Sequence, residues 1–111
     1  MSKKYFVEVN TFANASAAGQ DCASMVYEKY HKTVIEAGTC LLAMHNDIER
    51  IKQEAQKRHP RCKNLIYDFE EWGNHLHGRM YITGNAERLA FTMFFSEIRN
   101  EYVLQGGKEH E

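Results

Sequence analysis

The sequence predicts a single α+β domain: a three-stranded antiparallel sheet with helices on one face, in the order β-α(α)-β-β-α. Three observations predict it. A β-hairpin signature, Gly73-Asn74 between two strand-like runs, lies in the second half of the chain. A stripe of apolar residues at intervals of three and four runs through residues 22–55. A β-branched and aromatic segment occupies residues 5–12.

In the first strand, Tyr5, Val7 and Val9 fall on one side, and Phe6, Glu8, Asn10 and Phe12 on the other. A small, polar loop over residues 14–19 follows, with Asn14 or Ser16 able to cap a helix. The helical stripe then passes through Cys22, Val26, Tyr30, Val34, Ala37, Leu41, Met44, Ile48, Ile51 and Ala55. Gly38-Thr39 interrupts it, and two readings stand. Either two helices meet at Gly38, or one helix over about residues 16–58 continues through a weak point. A single helix would run about 50 Å or more, too long for so small a domain to cover. Pro60 ends the helical run. Asn85 is placed to cap a last helix over residues 86–103, in which Phe91, Phe94, Phe95, Ile98 and Tyr102 form one stripe, with Leu89 and Met93 to its side.

The hairpin carries the most specific expectation. A two-residue Gly-Asn turn fixes the register: Trp72 opposite His75, Glu71 opposite Leu76, Glu70 opposite His77, and so on to Leu65 opposite Ile82. One face then holds Leu65, Tyr67, Phe69, Glu71, Leu76, Gly78, Met80 and Ile82; apart from Glu71 near the turn it is apolar, suited to packing under helices. The other pairs Glu70 with His77, Asp68 with Arg79, and Ile66 with Tyr81. If the first strand joins the hairpin, Glu8 and Asn10 lie on this polar face too.

Composition bounds the function. The chain has 111 residues, 43% hydrophobic and 26% charged, which suits one globular core. Residues 1–104 are read as the domain and 105–111 as a frayed tail. The net charge of −1, with charges of both signs mixed along the chain, disfavours nucleic acid as a partner. The basic cluster Lys57, Arg58, His59, Arg61 and Lys63 reads as a solvated helix end. Three widely spaced cysteines, Cys22, Cys40 and Cys62, suggest buried or reduced thiols and a cytoplasmic location. No leader-like or membrane-spanning apolar run is expected.

The polar hairpin face suits either a solvated surface laced with ion pairs or a binding surface. As a catalytic face, His75 and His77 would carry protons, with Glu70 as orienter. As a ligand face, Asp68, Trp72, Arg79, Tyr81 and Asn85 are the candidates, Asn85 because a helix N-terminus can receive an anion. The pairs His59/Cys62 and His75/His77 have a spacing reminiscent of small zinc sites. A strand of roughly 30 Å separates them, so no four-ligand metal site is expected, and no cofactor. The apolar excess of the helices points to a protein partner and to self-association, with Leu41, Met44, Ile48, Ile51, Leu89 and Met93 as interface candidates. The expected function is therefore a non-catalytic binding or regulatory protein, such as an inhibitor or adaptor of a larger complex, acting as a homo-oligomer. The alternative is a small enzyme or ligand-binding module built on the His75/His77 face.

Overall fold

In the computed structural model, which describes residues 4–36, 38–72, 75–82 and 88–98, seven elements follow one another. They are β1 (Lys4–Thr11), α1 (Ala17–Tyr30), β2 (Thr33–Glu36), α2 (Thr39–Arg58), β3 (Leu65–Trp72), β4 (His75–Ile82) and β5 (Phe91–Glu97). The five strands form one sheet in the order β2-β1-β5-β4-β3, antiparallel at every junction. The class is the expected α+β, but the sheet has five strands rather than three, and β1 meets the hairpin only through β5. The tail expected at residues 105–111 lies outside the described residues.

The hairpin register is the expected one throughout, from Trp72 opposite His75 to Leu65 opposite Ile82. The helical run divides. Ser16 caps α1, its Oγ accepting a hydrogen bond from the Gly19 amide at 3.1 Å. The helix ends at Tyr30, the His31 amide donating to the Tyr27 carbonyl. Lys32 then adopts a left-handed conformation, with φ of 54°. Thr33, Val34 and Ile35 follow, three β-branched residues whose crowded χ1 favours extended backbone, and they form β2 instead of continuing the stripe. Gly38, at φ 77°, opens α2 as its N-cap.

The larger correction is at residues 91–97, which form a strand in place of the expected helix over residues 86–103. β5 is the middle strand, bonded to β1 on one side and β4 on the other. Ladder-like bonds extend it at both ends: Ala90 donates to the Met80 carbonyl, Phe12 to the Ala90 carbonyl, and Ile98 to the Lys4 carbonyl.

Both helices pack on one face of the sheet. Val7, Val9, Leu65, Met80, Phe91, Met93 and Phe95 point into the core from the strands; Cys22, Ala23 and Val26 meet them from α1, and Met44, Ile48 and Ala55 from α2. Two glycines mark close approaches. A Cβ at Gly19 would lie 3.0 Å from the Ala90 Cβ, and one at Gly78 would meet Met93 Cε at 3.0 Å and Tyr67 Oη at 3.1 Å. The helices run antiparallel, tied at two levels. Asp21 faces Arg58 at one level, and Asp47 receives Lys29 Nζ at 2.6 Å and the Tyr30 hydroxyl at 2.7 Å at the other. No described helix is long and apolar enough to cross a membrane.

Candidate functional site

The helices cover one face of the sheet, and the registers define what stands on the other. One cross-strand row reads Val34, Phe6, Ser96 and the backbone position of His75. The next reads Glu8, Phe94, His77 and Glu70, and a third reads Asn10, Thr92, Arg79 and Asp68. Glu8, Asn10, Asp68, Glu70, His77 and Arg79 thus share a face, but β5 lies between β1 and the hairpin.

Within that face, Arg79 Nη2 lies 3.6 Å from Asp68 Oδ2 and 3.6 Å from Glu70 Oε1. The cross-strand Asp68–Arg79 pairing read from the hairpin is therefore present, and Glu70 shares the same guanidinium. These side chains are roughly 40% exposed, so the pairs fix geometry more than they add stability, about 0–1 kcal/mol each.

His77 sits differently. Its ring stacks on Phe94, with centroids 5.0 Å apart and planes 14° apart, and the residue is only 8% exposed. Burial, and then the Arg79 guanidinium, lower its pKa below the ordinary histidine value, against a smaller upward pull from Glu70. The imidazole is neutral at pH 7. Phe94 itself is 37% exposed, one of three large apolar side chains exposed among the described residues. Phe6, Val34 and Ile66 are half-buried on the same face. Sequence reasoning missed Phe94 and its neighbours Thr92 and Ser96 because it assigned them to a helix. Strand alternation places them here once β5 is known.

The side chains of Trp72, His75 and Tyr81, and all of Asn85, lie outside the described residues, as does the helix N-terminus expected at Asn85. His59 and Cys62 lie beyond the end of the hairpin away from its turn, far from His77 along the strands. Among the described residues, no group of three or more His, Cys, Asp or Glu side chains is placed to hold a metal ion.

The expected interface residues are mostly committed to the chain's own core. Met44, Ile48 and Met93 are 2% exposed or less, and Leu41 and Ile51 pack half-buried against them; Leu89 is half-buried. A polar cluster lies under the hairpin: the Tyr67 hydroxyl and His45 Nδ1 are 3.2 Å apart, and Phe69 meets the His45 ring edge-on at 4.0 Å. Burial lowers the His45 pKa and raises that of Tyr67, so both are neutral, which suits a structural bond between α2 and β3.

Compared with known protein families, with curated proteins and with solved structures, the chain matches none.

Proposed function

We propose that the chain is a non-catalytic binding protein whose open sheet face receives a protein partner, in the manner of an adaptor or inhibitor of a larger complex. One observation carries this reading: the middle strand presents Phe94 to solvent at the centre of a sheet whose other face is occupied by helices. Phe6, Val34 and Ile66 extend the apolar contribution around it.

The charge of the face selects the partner. Glu8, Glu36, Asp68 and Glu70 stand against Lys4 and Arg79, so the face is net acidic. A complementary surface has an apolar centre and a rim of Lys or Arg. A second copy of this chain would set two net acidic faces together, which argues against self-pairing there. Catalysis by His77 is less favoured, because the ring is covered by Phe94.

A photo-crosslinking residue at position 94, with a control at the 61%-exposed Leu42 on α2, tests the proposal in lysate of the source cells. The expected result is one dominant protein adduct at 94 and none at 42, lost at high salt and lost when Asp68 and Glu70 are both changed to Lys. An adduct with a second copy, equal adducts at both positions, or none at 94 would contradict it.

A further inference from the structure

The helix side of the molecule carries a second feature, independent of the sheet face. A cleft of about 540 Å³ lies between the first turn of α1 and the α2–β3 connection. Ser16, Ala17 and Ala18 form one wall, and residues 58–64 form the other. Its volume is within the range of small-molecule sites, roughly 300–1,000 Å³.

The lining holds four basic side chains and no carboxylate: Arg58, His59, Arg61 and Lys63. They are not equivalent. Arg58 reaches Asp21 at 3.4 Å and Glu54 at 3.5 Å, and His59 Nε2 lies 3.4 Å from Asp21, so both are held by acidic neighbours from the helices. Arg61 and Lys63 have no ion-pair or hydrogen-bond partner among the described residues. The α1 wall adds no negative charge, since its first turn contains no acidic residue. Ala17, Ala18, Pro60 and the half-buried Cys62 give the remainder of the cleft an apolar character.

We infer that this cleft binds a small organic phosphomonoester. Two unpaired cations match a phosphomonoester dianion, which carries a charge of about −1.5 to −2 at neutral pH. The cleft is several times larger than a phosphate group alone requires, and its apolar walls suit the organic body of the ligand. Arg58 and His59 are held by Asp21, which leaves Arg61 and Lys63 as the groups that pair with the phosphoryl oxygens.

Cys62 supplies the readout. Its alkylation by iodoacetamide, a neutral reagent, is followed by peptide mass spectrometry with phenyl phosphate or inorganic phosphate as probe. Phenyl phosphate is expected to slow the reaction saturably, and inorganic phosphate to do so only at higher concentration. The double variant Arg61→Gln, Lys63→Gln should weaken protection by phenyl phosphate at least about tenfold. Lys32→Asn, at the opposite end of α1 from the cleft, should leave it unchanged, and matching thermal melts establish that both variants are folded. Absence of protection by phenyl phosphate up to about 10 mM, a range covering even weak millimolar sites, would overturn the inference. Protection that persists in the double variant would do the same. Equal protection by the two probes would overturn the assignment to a phosphomonoester.

Discussion

The His77 imidazole lies flat against the Phe94 ring across the β4–β5 ladder, so the partly exposed Phe94 is also the cover that buries a titratable group. Removing that cover should be visible in the titration of the histidine. In Phe94→Ala, the His77 midpoint, followed by NMR of the imidazole, is expected to rise toward the ordinary value of about 6.5. The stability cost should be modest, about 1 kcal/mol, the scale of one aromatic pair on a partly exposed surface. An unchanged midpoint would mean that Arg79, rather than burial, sets the shift.

Acid sensitivity follows from the same sign. Burial lowers the folded-state pKa of both His45 and His77, so the unfolded chain takes up protons first as pH falls. Their contribution is complete above the unfolded value of about 6.5 and is lost as pH drops from there through the folded values. Urea midpoints should hold between pH 7 and 8 and decline on acidification to 5.5. His45→Gln, which keeps a hydrogen-bonding group beside Tyr67 but cannot titrate, should show a shallower decline. Identical pH slopes in the variant and the parent would exclude His45 as a contributor.

A second, lower pH window belongs to Asp47. Burial alone would raise its pKa, but hydrogen bonds from Lys29, Tyr30 and Arg50 outweigh that and hold the carboxyl at about 2. Its stabilisation is present above the unfolded value near 3.9 and is lost as pH falls toward 2. Because Lys29 and Tyr30 come from α1 and Asp47 from α2, Asp47→Ala should loosen the helix pair. A loss of about 2 kcal/mol at pH 7 is expected from chemical denaturation, the scale of hydrogen bonds to a buried charged group. A loss within measurement error would show that the ties are solvent-screened decoration.

Gly78 leaves room for Tyr67. A valine there would push against Tyr67 Oη and Met93 Cε, which lie 3.1 and 3.0 Å from the place its Cβ would occupy. Met93 can swing aside; Tyr67 cannot do so without losing its contact with His45. Gly78→Val should therefore destabilise by about 1–3 kcal/mol, as overpacking does. His45→Ala in the same background should cost less than it does in the parent, a coupling read from a double-mutant cycle.

The parts of the fold legible in the sequence are those where local chemistry and burial agree. The Gly73-Asn74 signal and the two-sided alternation of residues 65–72 and 75–82 select one register, because a one-residue slip would bury Asp68 and Glu70 and expose Tyr67 and Phe69. The α2 stripe, Leu41 to Ala55, is a one-sided amphipathic pattern and packs as such. The break before β2 is hidden because a lysine, not a glycine, takes the left-handed position at residue 32, and because Val34 falls in phase with the helical stripe. The consecutive Thr33, Val34 and Ile35 are the available signal. β5 is hidden for a different reason. In a middle strand that buries Phe91, Met93 and Phe95, the alternation marked by Thr92 and Ser96 is broken at its centre by Phe94, and the run of Met93, Phe94 and Phe95 reads as continuously apolar. Its aromatic density favours a strand, while Asn85 and the helix-forming residues beside it favour a helix. With β5 unread, the centre of the candidate face is unreadable too, although the pairing of its hairpin half follows from the turn alone.

The open, strand-built face at Phe94 is tested most directly by cysteine accessibility along β5. Single cysteines at positions 93, 94 and 96 would be labelled with a maleimide in dilute native protein and read by peptide mass spectrometry, so that native Cys22, Cys40 and Cys62 are scored separately. Fast labelling at 94 and 96 with protection at 93 is the expected result, a period of two with the open face outward. Protection at 94 with fast labelling at 93 would restore the helical reading of this segment, and with it remove the surface on which the proposed partner docks.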